Sequence, residues 1–256
     1  MKIIFILLLM SVFSGCEDEK TCPGNNCSGH GTCLETKSGD FYCRCKSGYT
    51  EGNNYSCYKK SSDEPINNCK PVIYLYPVQE TQVSVAFANP QDVDLTYTYP
   101  LYGENGWTVT ALEDGTLQMG DRNYYSLYWE GVTQDSITFN TGFCVSSDEL
   151  IEFFEDALAK LGLNDFEAQE FIIYWLPILG ENPYNIIYFA TDDWKRDVPL
   201  SVSPAPDTQI RFNMIYRPSV EKINILPQEI KTPERVGFTL VEWGGRLESG
   251  EYEVTE

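Results

Sequence analysis

Two glutamates beside tryptophan are the residues whose type could support hydrolytic chemistry. Glu130 stands in the sequence Trp-Glu-Gly, and Glu242 stands in the sequence Glu-Trp-Gly. A pair of carboxylates can cleave a glycosidic bond without help from histidine, one acting as acid and the other as nucleophile or base. Because acidic residues are abundant in this chain, the alternative is that both glutamates end strands and face solvent. We therefore expect a binding or structural protein, with a carboxylate-dependent glycan-active enzyme as the alternative.

Aromatic residues make up 14% of the chain and could form a platform for a glycan or an extracellular protein. The segment 102–107 predicts a loop that displays Tyr102 and Trp107. Trp194 lies in a second polar segment, 192–197, that predicts an exposed turn. The alternative is that these rings fill a twisted sheet. The three side chains are the candidate ligand-binding residues of a carbohydrate-binding protein.

Composition excludes several classes of protein. The 18 basic and 38 acidic residues give a net charge of −20, which leaves no basic surface for nucleic acid. The single histidine, His30, lies between two glycines, where a turn residue is expected. The rest of the chain therefore cannot build a Ser-His, Cys-His or His-zinc site. We find no glycine-rich phosphate loop, and no cofactor is predicted.

The N-terminus has the pattern of a secretory signal peptide. Lys2 is followed by a short apolar run and then by small residues that precede Cys16. The segment 13–16 resembles a bacterial lipobox, which implies removal of residues 1–15 and lipid attachment at Cys16, followed by a tether over 16–21. Ordinary cleavage after Gly15 is the alternative. No other run approaches ~18 apolar residues, so no transmembrane helix is predicted.

The lipobox resemblance implies a protein outside the cytoplasm, anchored to the bacterial outer membrane or cell surface. The lipid bilayer would then be a partner through the acylated Cys16, since several acyl chains anchor stably where one does not. The acidic run 17–19 resembles a surface-export signal, with a solvated linker as the alternative. A secreted protein is the other localisation. Formal glycosylation sequons at Asn26 and Asn54 would suit a eukaryotic secreted protein, but Cys16 would then have no role.

Six cysteines in residues 22–57 constrain the next segment. So short a segment buries too little apolar surface to fold on its core alone, and disulfides must supply the constraint. The spacing Cys-x4-Cys-x5-Cys-x9-Cys-x-Cys-x11-Cys resembles an EGF-like domain over residues 22–58. The resemblance selects one pairing among many. The implied disulfides are Cys22–Cys33, Cys27–Cys43 and Cys45–Cys57.

Some EGF-like domains bind calcium, and the resemblance places weak candidates here. Asp18 and Glu19 precede the first cysteine, and Glu35 follows the third. Lys20 and Thr21 separate Asp18 and Glu19 from the first cysteine. The loop that follows the third cysteine is one residue longer than in the calcium-binding form. Because Ca²⁺ needs several oxygens at fixed positions, we expect a structural spacer without calcium.

Residues 59–68 predict a polar linker, and residues 69–250 predict a second, β-rich domain before an acidic tail at 251–256. Residues 70–256 hold 11 basic and 30 acidic side chains, a net charge of −19. Alternation of apolar and polar residues predicts a sandwich-like sheet structure. The predicted strands are 71–77, 81–88, 93–99, 107–112, 116–119, 124–129, 136–140, 185–190, 210–216, 222–226 and 237–243.

A change of period predicts two helices, about 147–162 and 165–177, inserted between the N- and C-terminal strands. Gly162 and Pro177 are expected to end them. A capping box begins each helix. The capping residues are Ser146 with Glu149, and Asn164 with Glu167. The expected fold class is therefore α+β, with a small disulfide-rich module before it.

Two cysteines lie outside the EGF pattern. We expect Cys69 and Cys144 to pair in an oxidising compartment, which would tie the first strand to the segment before the helices. Two separate thiols are the alternative, because the sequence does not show whether their Cα atoms approach.

Three segments of the β-rich domain look like a family of uncharacterised bacterial secreted proteins. They are residues 69–77, 125–131 and 174–177. The resemblance implies one domain over about residues 69–250 and carries no activity.

Overall fold

The computed structural model describes residues 27–35, 41–46, 49–52, 56–59, 66–135 and 137–248. The chain divides into two compact units, of which the larger is Ser62–Gly250. Cys16, Asp18, Glu19 and Cys22 lie outside the described residues, as do the signal peptide, the tether and the acidic tail. Among the described residues, no helix has both the length and the apolar character needed to cross a bilayer.

The smaller unit contains two antiparallel hairpins held by disulfides. Two of the implied pairs are confirmed: Cys27–Cys43 and Cys45–Cys57. Cys33 is also disulfide-bonded, and its expected partner lies outside the described residues. The ring of His30 stacks on Tyr49 at 4.2 Å. The elements are a 3-10 turn at Cys27–Gly29 and strands β1 Gly31–Glu35, β2 Phe41–Cys45, β3 Tyr49–Gly52 and β4 Ser56–Lys59.

The larger unit is mostly β, with few helices. Its strands are β5 Ile66–Tyr76, β6 Thr81–Phe87, β7 Val93–Tyr99, β8 Trp107–Ala111, β9 Leu117–Met119, β10 Arg122–Tyr124, β11 Leu127–Thr133, β12 Thr141–Ser146, β13 Tyr184–Ala190, β14 Leu200–Ser203, β15 Thr208–Ser219, β16 Leu226–Pro227 and β17 Thr239–Leu247. The helices are α1 Leu150–Lys160, α2 Asp165–Leu179 and α3 Asp192–Asp197. The first strand begins inside the segment that the sequence predicts as linker.

Within the described residues, the strands of the larger unit form two sheets. Eight strands run in the order β16-β12-β13-β15-β17-β5-β11-β7, and five in the order β10-β9-β8-β6-β14. The predicted strand at 136–140 is not formed at 137–140, and 222–226 contributes only its last residue to β16. The strand β14 pairs with β6 and was not expected from the alternation.

The central strands of the larger sheet are buried on both faces. Along β5, Ile73 and Leu75 join an apolar core shared with the smaller sheet. Val72 and Tyr74 join a second core beneath α1 and α2. A strand covered on both faces is expected to read as a continuous apolar run, which explains the sequence of this strand. The domain is therefore layered as sheet, sheet and helices.

The helical hairpin is formed as expected, with differences at its ends. The Asn164–Glu167 capping box is confirmed, with bonds of 3.0 and 2.8 Å. The Ser146 hydroxyl instead donates to the carboxylate of Glu149 at 2.7 Å, which lowers the pKa of Glu149. The expectation that Pro177 ends the second helix is wrong, because the helix continues to Leu179. Leu179 is fully buried in the core, and its packing stabilises the last turn.

The predicted pair between Cys69 and Cys144 is wrong. Cys69 lies opposite Gly245 on β17, whereas Cys144 lies opposite Ile186 on β13. Three strands separate β5 from β12, so the two backbones are about 19 Å apart at the usual spacing between strands. A disulfide needs Cα atoms within about 7 Å. Cys144 is a free thiol whose sulfur accepts from the N–H of Ile223 at 3.3 Å.

Candidate functional site

The two predicted carboxylates lie on opposite faces of the larger sheet and do not form an acid–base pair. Glu242 is fully buried in the core between the sheets. It accepts from the indoles of Trp129 and Trp194 at 3.1 and 2.9 Å and from Arg211 at 2.8 Å. Glu130 follows Trp129 on a strand, so alternation turns it toward the helices. Glu242 is therefore a structural anion with no access to a ligand.

Two of the predicted ligand-binding aromatics are core residues. Trp107 and Trp194 are 0% and 1% exposed, so their assignment as ligand-binding residues is wrong. The polar segment around Trp194 forms the short helix α3, and its tryptophan faces inward to Glu242. Tyr102 packs edge-on against Trp107 at 4.6 Å, and its hydroxyl accepts from the N–H of Phe87 at 3.1 Å. The Tyr102 side chain therefore packs against the core.

Three exposed tyrosines lie instead near the uncovered edge of the larger sheet. Strand β7 ends the strand order, and its Tyr97 and Tyr99 are 67% and 56% exposed. Tyr99 is directly opposite Tyr128, and Tyr97 is opposite Glu130. Residues paired in this way share one face of the sheet. We call Tyr97, Tyr99 and the neighbouring Tyr125 the tyrosine ledge.

The carboxylate of Glu170 on α2 forms the polar centre beside the ledge. It accepts from the ammonium of Lys70 at 3.0 Å. It also accepts from the hydroxyls of Tyr125 at 3.0 Å and Tyr74 at 2.7 Å. Three donors converge on one carboxylate, two of them on the same oxygen. This arrangement holds Glu170 as a fixed hydrogen-bond acceptor.

Lys70 links the polar centre to the sheet. Its backbone has a φ of 48°, a left-handed conformation that is uncommon outside glycine. In this conformation its N–H donates to Glu130 at 3.2 Å. The ammonium lies 5.1 Å from the ring centre of Tyr174 and 5.4 Å from that of Trp243. These cation–π contacts and the Glu170 ion pair hold the lysine in place.

The electrostatics keep the two phenols protonated. Burial, followed by the hydrogen bond to Glu170, raises the pKa of Tyr74 far above its usual value. Burial and the charge of Glu170 also raise the pKa of Tyr125. A phenol with a raised pKa remains a hydrogen-bond donor at neutral pH. The centre is therefore built for hydrogen bonding.

A cavity of about 290 Å³ opens where the ledge meets this centre. Its polar lining includes Lys70, Asn123 and Glu170. Its aromatic lining consists of Tyr99, Tyr124, Tyr125 and Tyr128. A concave site with aromatic walls and a few convergent polar groups is typical of small-ligand binding.

Two of the three segments that carry the family resemblance line this cavity, since 69–77 supplies Lys70 and 125–131 supplies Tyr125. Segment 174–177 lies beside it, where the ring of Tyr174 contacts the ammonium of Lys70. Sequence reasoning missed Glu170 because its helix reads as an apolar stripe. The available signal was its position one turn before Tyr174, since residues at i and i+4 share a helix face.

No metal site emerges among the described residues. The sulfurs of Cys27, Cys43 and Cys57 lie close together, but all three belong to disulfides. The weak calcium candidates cannot be joined into a site, because the Glu35 side chain also lies outside the described part of the chain.

Comparison with known proteins gives two matches. The family model of the EGF-like domain matches residues 22–57. A disulfide-bonded EGF-like domain indicates an extracellular or secreted protein. The chain is also 36% identical over 77 residues to an uncharacterised protein in the bglA 3′ region of Butyrivibrio fibrisolvens, covering 29% of this chain and 78% of that protein. The chain belongs to the family of that protein. No solved structure matches it.

Proposed function

We propose that this protein is a membrane-anchored lipoprotein that binds carbohydrate through the cavity beside the tyrosine ledge. The observation that carries the proposal is the meeting of four tyrosines with Lys70, Asn123 and Glu170 around one cavity. The EGF-like domain would act as a stalk between the lipid and this binding domain.

Carbohydrate fits the chemistry of the lining. A sugar ring has an apolar face that stacks on tyrosine, and hydroxyls that both donate and accept hydrogen bonds. Asn123 offers both a hydrogen-bond donor and an acceptor. Lys70 offers a donor, and Glu170 offers an acceptor. The hydroxyl of Tyr125 donates to Glu170 and so connects the aromatic and polar linings of the site.

The site is proposed to bind and not to hydrolyse. Its central carboxylate is held by three donors, including an ammonium, so it is placed to orient a ligand by accepting hydrogen bonds. The predicted partner of Glu130 in catalysis, Glu242, is in the opposite core.

A glycan array probed with the mature chain tests the proposal. We expect a defined set of glycans to bind, with Glu170→Gln and Tyr125→Phe each weakening binding about tenfold through loss of a charged or directed hydrogen bond. Glu155→Gln, an exposed change on α1, is the matched control. Equal binding by all four proteins would refute the site, and release of shorter products would establish the enzyme alternative.

Mass spectrometry tests the anchor separately. Intact protein extracted from membranes is expected to begin at Cys16 and to carry acyl chains, and Cys16→Ser is expected to leave the membrane fraction. A mature form that begins at residue 16 without lipid would show that the protein is secreted.

A further inference from the structure

The tyrosine ledge extends beyond the cavity along the edge strand. Tyr99 lines the cavity, and its ring packs edge-on against Tyr124 at 5.4 Å. Tyr97 is two residues earlier on β7, so it presents its ring on the same face about 6.7 Å away. That separation is close to the length of one sugar unit in a chain. The ledge therefore has room for more units than the cavity alone.

The ledge is exposed because the helical layer does not cover the edge strand. Helix α2 supplies one wall through Glu170, but the face of β7 carries no helix of its own. Two tyrosines more than half exposed on one face of an edge strand form an open track. A track open at its end favours a chain-like ligand, whereas an enclosed pocket favours a single unit.

The charges of the site favour a neutral ligand. The ammonium of Lys70, which lines the cavity, is paired with Glu170 at 3.0 Å. Arg122 is exposed beside the track, where its Nη1 donates to the hydroxyl of Tyr99 at 3.5 Å. Residues 70–256 carry a net charge of −19. An anionic chain would therefore approach this domain against its overall field and meet a cavity lysine that is already paired.

From these observations we infer that the site takes a neutral oligosaccharide of at least three units, with one unit in the cavity and the next on Tyr99 and Tyr97. This inference rests on the proposed carbohydrate binding and names its substrate class. Acidic oligosaccharides are excluded by charge, and single sugars occupy the cavity alone.

Titration calorimetry with oligosaccharides of two to six units tests the inference. The neutral probes are cello-, xylo- and manno-oligosaccharides, and the acidic probes are oligogalacturonates of equal length. We expect affinity for at least one neutral series to rise up to three or four units. Tyr97→Ala is expected to weaken the longest probe about 3–10-fold and leave the shortest unchanged. Leu226→Ala, which is 72% exposed on β16 at the opposite end of the strand order, is the control.

The outcomes separate this inference from the proposed function. Binding that is lost in Glu170→Gln but is independent of chain length and of Tyr97 would refute the extended track and support the cavity as the whole binding site. Tighter binding of the oligogalacturonates would overturn the charge argument. Absence of binding by every neutral and acidic series would overturn both the track and the carbohydrate site.

Discussion

At the scale of single residues, burial decides what a carboxylate does. Glu130 and Glu242 have similar neighbours in the sequence, yet one contacts the backbone of Lys70 and the other lies in the core between the sheets. The sequence identified both glutamates as unusual. It could not show that the donors to Glu242 come from two distant tryptophans and an arginine, because those contacts depend on long-range strand pairing.

Replacing Glu242 by Leu is expected to destabilise the larger unit by about 3–5 kcal/mol. The change leaves the buried guanidinium of Arg211 without its carboxylate, and an unpaired buried charge is costly. The double change Glu242→Leu with Arg211→Met should recover much of the loss, since both charges are removed. Urea unfolding measures both effects. A loss below about 1 kcal/mol in the single variant would contradict the role of Glu242 as a structural anion.

The buried phenol of Tyr74 makes stability depend on alkaline pH. Its pKa is raised in the folded state, so above pH ~10 the unfolded chain releases this proton while the folded chain retains it. Stability contributed by the protonated phenol is therefore present below pH ~10 and declines as the pH rises further, by up to about 1.4 kcal/mol per pH unit. Tyr74→Phe should have a shallower decline between pH 9.5 and 11, measured by urea unfolding. An unchanged slope would argue against a buried, protonated Tyr74.

At the scale of elements, short-range patterns predicted most of the strands and the helical hairpin. They failed where packing overrides local chemistry. Pro177 stays within a helix because Leu179 is buried beyond it, and 192–197 forms a helix because Trp194 packs inward. Lys70 and Glu170 were missed for a related reason, since they are brought beside Tyr125 only by the pairing of β5 with β11 and the docking of α2.

The two capping patterns should differ in their energetic contribution. Asn164→Ala is expected to cost about 1 kcal/mol, because it removes the acceptor for the N–H of Glu167 at the start of α2. Ser146→Ala should cost less than about 0.5 kcal/mol, because its hydroxyl bonds an exposed carboxylate and caps no backbone group. Thermal unfolding of the two variants compares them directly. Equal losses would show that both residues cap their helices in solution.

At the scale of the whole molecule, the two units are stabilised by different means. Disulfides form the centre of the EGF-like unit, where Cys27, Cys43 and Cys57 are buried together. The larger unit has two extensive apolar cores, and its Cys144 is a free thiol. The sequence predicted this division from cysteine spacing, but it assigned the larger unit a disulfide that the order of the strands does not allow.

Reduction of the disulfides should therefore unfold the EGF-like unit and leave the larger unit folded. With a mild thiol reductant the EGF-like unit is expected to unfold, because so small a core does not suffice without its cross-links. The larger unit should keep its unfolding midpoint within about 2 °C, since none of its described contacts is a disulfide. In the unreduced chain, a thiol reagent should label Cys144, and Cys144→Ser should lose that label.

Calorimetry of the full chain, oxidised and reduced, measures the unfolding midpoint of each unit, and a protein comprising residues 62–250 provides the comparison. A large fall in the midpoint of the larger unit on reduction would show that its cores depend on a cross-link after all.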